Sequence, residues 1–222
     1  KGSRFMHHQN GARQPYTPIT PPSWGAMACK RAFDIVCSLL GLVVLSPLLL
    51  VVSLLVAVTS PGGVFFRQER IGKGGKPFRI FKFRSMRKDN AGLKITTGND
   101  SRITPVGRFL RKSKIDELPQ LINVLVGDMS FVGPRPEVAD YVSLYTPYQR
   151  QVLLVRPGIT GLASIRFRNE NDLLTASTDP NRTSIEQIMP RKIDLDLEYI
   201  TQLSVLYDME LVFQAFAVVI KE

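Results

Sequence analysis

From Ile35 to Phe66 the chain carries 32 residues without one charged side chain. No polar face recurs within it, and the run exceeds the roughly 20 apolar residues that span a bilayer, so it predicts a membrane element. Ser46-Pro47 divides it into two arms, Ile35–Ser46 and Pro47–Val58, of 12 residues each. Proline removes a backbone hydrogen bond and pushes the preceding turn out of line. Each arm rises about 18 Å, little more than half of a hydrocarbon core about 30 Å thick. Lys30-Arg31 before the arms and Arg67, Arg70 and Lys73 after them give both ends the positive flank of a cytoplasmic loop. The pattern predicts a re-entrant helix-break-helix hairpin kinked at Ser46 and Pro47, with the Ser46 hydroxyl returning to a carbonyl that the kink frees. A single span with a tolerated proline is the alternative. A cleavable signal peptide fits poorly, because the apolar run starts late, is too long and ends in Ser60-Pro61.

The rest of the pattern is shorter in period. Residues 1–26, with Pro15, Pro18 and Pro21-Pro22, show neither helical nor strand spacing and read as a tail. Alternation from Val64, a break at Gly72–Lys76 and renewed alternation over Pro77–Phe83 predict a β-hairpin. Helices are expected around Arg108–Lys112, at Leu118–Val126 closed by Gly127, over Glu137–Leu154 with a break near Pro147, and at Ile193–Leu203. Met209–Ile220 is apolar on most faces and suits the core somewhat better than a membrane surface. Polar residues 166–183 read as a long loop. The expected fold class is α+β: a tail (1–26), the membrane hairpin (27–66), and a mostly helical cytoplasmic catalytic domain with a small β-hairpin (67–222).

Charge changes this picture by its distribution. The net charge is +10, but residues 1–117 hold 20 basic and 6 acidic groups, whereas 118–222 hold 9 and 13. An anionic partner for the first half follows, whether nucleic acid, acidic lipid or a phosphorylated substrate. Arg67–Lys88 contains nine basic residues, with Phe78, Phe81 and Phe83 interleaved. Directly after a membrane element, this reads better as a collar on anionic headgroups than as a nucleic-acid surface, with Lys82 free to reach a substrate phosphate. Cys29 and Cys37 fit neither a disulfide framework nor a zinc site.

Three segments carry candidate chemistry. Arg108, Arg111, Lys112 and Lys114 immediately precede Asp116-Glu117. Nearby cations favour an ionised carboxylate, so the spacing predicts a lowered pKa and a nucleophile or metal ligand at neutral pH. Adjacent carboxylates also suit Mg²⁺, which uses one or two carboxylates plus substrate phosphates. A solvated acidic pair at a helix start is the bland reading. In Gly133-Pro134-Arg135-Pro136-Glu137 two prolines restrict the backbone around one arginine, which suits a phosphate clamp. Arg156-Pro157-Gly158-Ile159-Thr160-Gly161 repeats the device with glycines that permit close backbone approach. Each reads equally well as a self-stabilising turn.

Taken in order, Lys30-Arg31-Ala32-Phe33-Asp34, Ser46-Pro47, Phe81-Lys82-Phe83-Arg84-Ser85-Met86, Lys114-Ile115-Asp116-Glu117-Leu118-Pro119-Gln120, Gly127-Asp128-Met129-Ser130, Gly133-Pro134-Arg135-Pro136 and Arg156–Gly161 resemble the bacterial sugar transferase family. These are monotopic polyprenyl-phosphate phosphoglycosyl transferases. The resemblance implies an enzyme of the bacterial inner membrane, its catalytic domain on the cytoplasmic face, that moves a sugar-1-phosphate from a UDP-sugar onto undecaprenyl phosphate and releases UMP. It further implies that Asp116 attacks the β-phosphorus to form a covalent phosphosugar ester, that Mg²⁺ assists at Asp116 and Glu117, and that Lys82, Arg111, Arg135, Arg168 and Asp196 contact substrate. Membrane lipids are the expected surroundings, a homo-oligomer is allowed, and nucleic acid is not an expected partner. After Gly161 the chain departs from the commoner pattern, reading Leu162–Asn169 and then an enlarged polar segment where sugar selection is expected. A membrane-anchored basic binding protein without turnover is the competing class, and a transferase releasing UDP is a third.

Overall fold

The computed structural model describes residues 18–60, 62–87, 102–175 and 177–220, so His7, His8, most of the expected tail and Lys88 lie outside the described residues. The first helix, α1, runs Trp24–Thr59, and its 36 residues follow about 54 Å of helix axis. The Ser23 side chain caps it by accepting the Ala26 N–H at 3.2 Å. Where the sequence predicts a break, α1 continues through Pro47 as one helix. Pro47 has no N–H for the Val43 carbonyl, and the Ser46 hydroxyl donates to that same carbonyl at 2.7 Å, so the predicted return bond compensates the missing one. The buried positions of α1 are Lys30, Asp34 and Ser38, then Val52 and Val56; Val36, Leu40, Val43, Val44, Leu54 and Val58 are exposed. α1 is long and apolar enough to cross a membrane.

Phe65 and Phe66, read from sequence as the end of the membrane element, instead open strand β1 (Phe65–Ile71). It pairs antiparallel with β2 (Pro77–Phe83), Phe65 opposite Phe83 and Ile71 opposite Pro77, around a short 3-10 turn at Lys73–Gly75. Alternation gives the ribbon two working faces. Phe83 packs with Val52 and Val56 of α1 and with Leu110, while Ile80 packs with Val124 and Met129. The fully buried Asn123 edges the ribbon like a strand: its Oδ1 accepts from Phe81 N–H and its Nδ2 donates to the Arg79 carbonyl, both at 2.9 Å.

Three short elements follow: α2 (Pro105–Lys112), a 3-10 turn (Ile115–Glu117) and α3 (Gln120–Val126), the last closed by Gly127 in the left-handed region as expected. A parallel two-stranded pair, β3 (Ser130–Val132) with β4 (Gly158–Thr160), was not anticipated from sequence. Three-residue strands are too short to show a period. Between them lie α4 (Ala139–Ser143) and a 3-10 helix (Gln149–Leu154), split on either side of Pro147. The expected loop over 166–183 holds helices α6 (Glu170–Thr175) and α7 (Pro180–Thr183), after α5 (Leu162–Arg166). Asp179-Pro180, read as a turn, is a helix start: the Asp179 carboxylate accepts from Arg182 N–H at 3.0 Å, and proline fills the first helical position. Helices α8 (Met189–Thr201) and α9 (Val205–Ile220) close the chain. The main core gathers Val132, Val152, Leu162, Ile193, Leu197, Ile200 and Leu211. In α9, Asp208 and Leu211 are buried, but Leu206, Met209, Phe213 and Phe216 are exposed, so the core absorbs one side of a helix for which sequence left core and membrane surface both open, the core slightly preferred.

The long helix α1 is fastened to the rest of the chain near both ends. At its start Lys30 forms a buried ion pair with Asp208, which also accepts from Tyr199 Oη at 2.7 Å. Arg31 donates to the Val124 and Leu125 carbonyls at 2.6 and 2.8 Å, and Asp34 accepts from the Ser130 hydroxyl at 3.0 Å and from Phe131 N–H at 3.1 Å. At its end Val52 and Val56 seat against Phe83 and Leu110.

Candidate active site

The turn carrying Asp116 and Glu117 is held by its ends. Leu118 N–H donates to Ile115 O at 3.2 Å, and Ile115 packs against the cluster that anchors the end of α1. Glu117 Oε1 accepts from Lys82 Nζ at 2.7 Å and from Arg135 Nη2 at 2.8 Å. Lys82 comes from the ribbon face that also bears Ile80, so the β-period turns it toward the dyad instead of outward into a lipid collar. Arg67, from the same basic segment, lies over the Phe81 ring at 4.5 Å.

Arg135 is presented by a loop locked on both sides. Before it, Ser130 N–H bonds Pro157 O at 2.8 Å, Gly133 N–H bonds Thr160 O at 3.0 Å and Gly158 N–H bonds Pro134 O at 2.9 Å. After it, Ile71 N–H bonds Glu137 O at 2.9 Å and Arg70 Nη1 donates to Pro136 O at 3.2 Å. The glycines are required by proximity: a Cβ on Gly158 would lie 2.2 Å from Gly133 N, and one on Gly133 would lie 2.5 Å from Arg156 O. Close approach was correctly expected here, but what approaches is another stretch of backbone. Arg156 likewise serves structure, donating through Nε to Gly127 O at 2.8 Å.

The electrostatics of the dyad differ from the sequence expectation. Burial, with the Glu117 charge beside it, raises the Asp116 carboxyl above its ordinary value, against the pull of Lys82, Arg111 and Lys114. The predicted lowering falls on Glu117 instead. Burial alone would raise it, but Arg135 and Lys82 outweigh that and hold it well below the usual carboxylate range. Lys82 in turn is lowered by burial and supported by Glu117. Arg135 keeps 39% of its side chain exposed, so the guanidinium is reachable from outside.

A family model described as bacterial sugar transferase matches residues 25–222. The chain belongs to the bacterial sugar transferase family. It is 42% identical over 216 residues to the UDP-glucose:undecaprenyl-phosphate glucose-1-phosphate transferase of Escherichia coli (strain K12), covering 94% of this chain and 44% of that protein. It is 42% identical over 197 residues to the exopolysaccharide production protein PSS of Rhizobium leguminosarum bv. phaseoli, covering 84% of this chain and 92% of that one. The UDP-N-acetylgalactosamine-undecaprenyl-phosphate N-acetylgalactosaminephosphotransferase of Aeromonas hydrophila is 38% identical over 196 residues, 86% of this chain and 43% of that protein. The chain thus spans less than half the length of the Escherichia and Aeromonas relatives.

In this family member the other expected substrate contacts are spread out. Arg111, at the end of α2, sets Nη1 3.3 Å from Met86 Sδ, and its charge acts on Asp116. Arg168 is exposed in the turn between α5 and α6, and among the described residues the side chains that bond Glu117 are Lys82 and Arg135 instead. Asp196, on α8, is buried; burial pushes its carboxyl up to about 7, eased by Lys192 and reinforced by Glu137. Lys192 pairs with Glu170 at 2.9 Å, and the Glu170 charge is felt at Arg135, so the α6–α8 region borders the site. Sequence reasoning missed Arg70, assigned only to the membrane flank. The two-residue alternation Gln68, Arg70 was the available signal. Among the described residues no group of three or more His, Cys, Asp or Glu side chains assembles a metal cage. The donor set instead fits Mg²⁺ held by two carboxylates and completed by substrate: Asp116 carries no hydrogen bond among the described residues, and Glu117 Oε2 is unengaged while Oε1 serves both cations.

Proposed function

We propose that the chain transfers a sugar-1-phosphate from a UDP-sugar to undecaprenyl phosphate, releasing UMP, as the initiating membrane step of a bacterial surface glycan. The observation that carries this reading is an unbonded Asp116 carboxylate beside Glu117, Lys82 and Arg135. A Asp116 oxygen attacks the β-phosphorus of the donor, the β-phosphorus–oxygen bond to the α-phosphate breaks, and UMP leaves with that electron pair. An oxygen of undecaprenyl phosphate then attacks the phosphorus held on Asp116, the acyl-phosphate bond breaks, and the carboxylate is restored. Donor, nucleophile and acceptor are all anionic, so the cations must offset their repulsion. Arg135 and Lys82, kept in place by Glu117, bind the diphosphate, with Arg111 on the other side of Asp116. Mg²⁺ on Asp116 and Glu117 supplies further neutralisation of the diphosphate when bound. The substrates named for the Escherichia and Aeromonas relatives support the substrate class.

We infer in addition that α1 bends at Pro47 within the cytoplasmic leaflet and returns to the side it entered from, leaving the catalytic domain on the cytoplasmic face of the inner membrane. Its support is that Lys30, Arg31 and Asp34 near one end and Val52 and Val56 near the other all pack on one domain, while the leucines and valines between them are exposed. A helix standing across a bilayer with one end on each side cannot keep both sets of contacts. Such an anchor holds Asp116 close to the headgroup plane, where a polyprenyl phosphate presents its charge.

Purified protein given UDP-glucose or UDP-N-acetylgalactosamine, undecaprenyl phosphate and Mg²⁺ should release UMP. With donor alone, the protein should gain the mass of a sugar phosphate at Asp116. UMP release by Asp116→Asn at the wild-type rate would remove the nucleophile assignment, and UDP as product would replace the reaction.

A further inference from the structure

Lys114 is the one non-glycine residue with a positive φ among the described residues, at 57° with ψ of 12°. In this left-handed region Cβ crowds the following carbonyl, so helix ends that need it usually place Gly or Asn there. The residue sits where α2 stops: its N–H donates to Arg111 O at 3.3 Å, and its carbonyl accepts from Glu117 N–H at 3.2 Å. The turn that presents Asp116 therefore starts from Lys114. Glycine would make the same turn without strain, yet the chain has a lysine, and strained backbone at a reacting group points to a function for the side chain.

That side chain is exposed, and its ammonium makes no hydrogen bond or ion pair among the described residues. The residue caps the turn that carries Asp116, two residues before that carboxylate. Of the cations nearby, Lys82 and Arg135 are engaged on Glu117, Arg84 on the Gly62 and Gly63 carbonyls and Arg70 on Pro136 O, while Arg111 places one of its donors on Met86 Sδ. Lys114 keeps all three of its donors unengaged two residues from the carboxylate, which is what a phosphate contact needs.

We propose that Lys114 binds phosphate oxygens of a substrate at Asp116, its left-handed backbone setting the turn and its free ammonium supplying the contact. The proposal rests on Asp116 being the site of transfer. The phosphate is either the diphosphate of the donor or the phosphate of the polyprenyl acceptor.

The test uses the full chain in detergent or nanodiscs, with UDP-glucose and UDP-N-acetylgalactosamine as donors and undecaprenyl phosphate as acceptor, reading UMP release and thermal unfolding. Lys114→Gly and Lys114→Asn keep the left-handed turn and remove the charge. Both should unfold no earlier than wild type yet lose about tenfold or more in kcat/KM, while Lys114→Arg recovers to within about threefold. A raised KM for the UDP-sugar assigns the contact to the donor, and a raised KM for undecaprenyl phosphate assigns it to the acceptor. Wild-type kcat/KM in the Gly and Asn variants overturns the proposal, as does an Arg variant no better than Gly, or early unfolding of both Gly and Asn. Asp116→Asn runs alongside. Activity remaining there sinks the transfer site itself, whereas an inactive Asp116→Asn with a fully active Lys114→Gly sinks only the lysine contact.

Discussion

Asp116 and Glu117 are neighbours in the chain and are perturbed in opposite directions, because only Glu117 shares its oxygen with two cations. For Glu117 the folded carboxyl lies below its unfolded value of 4.5, so the stability it contributes is complete above that pH and is lost as the pH falls further. Glu117→Gln should cost about 2 kcal/mol at pH 7 by leaving Lys82 and Arg135 without their shared acceptor, and should flatten the acid side of a chemical-denaturation profile. Asp196 has the opposite sign. With its folded value about 7 against 3.8 unfolded, the folded state holds the proton more tightly, and stability falls as pH rises between those values. The slope is at most about 1.4 kcal/mol per pH unit. Asp196→Asn should abolish that slope and be the more stable protein at pH 8, as measured by denaturant midpoints; an unchanged slope would show that Asp196 is not the titrating group. Both carboxylates were found in the sequence as residue types. The lowering expected of the dyad fell to Glu117 alone, through Lys82 and Arg135, and the raised Asp196 was not foreseen, since these shifts depend on which cation arrives and how much water leaves.

At the scale of elements, α1 and the β3–β4 pair do the positioning. The Lys30–Asp208 pair with Tyr199 buries opposite charges from the two ends of the chain. Removing one partner of such a pair strands the other, so Asp208→Ala should destabilise by about 3–5 kcal/mol in thermal unfolding, while Lys30→Met with Asp208→Leu recovers much of the loss. If the double variant is no better than the single one, the packing of α1 and α9 rests on something other than this pair. Gly158→Ala tests the loop that carries Arg135. Its Cβ cannot share space with Gly133 N, so β3 and β4 must part and UMP release should fall at least tenfold; wild-type release would separate Arg135 from this support. The helices and the β-hairpin were legible in the chain as periods and caps. The parallel pair was not, and neither were the helices inside 166–183, whose start signal looks the same as a turn.

For the whole molecule, the decisive feature is a long exposed apolar helix lying along a basic domain that it contacts near both ends. Cys29 is exposed near the start of α1, and Lys76 is exposed in the turn beyond its end. In inner-membrane vesicles of one orientation, an impermeant maleimide should label Cys29 and a Lys76→Cys variant from the same side. Labelling from opposite sides would return α1 to a simple span. The uninterrupted apolar run, the β-hairpin, the proline with its compensating serine, and the place of the acidic dyad all follow from the sequence, because each is set by residues within a few positions of one another. Only the folded chain decides that Glu117 gathers Lys82 from 35 residues away and Arg135 from 18, that Asp116 is left unpaired, and that α1 is clamped through a contact spanning 178 residues. Such pairings carry no local period, being fixed by how the ribbon, the two locked loops and the helices exclude water around one another.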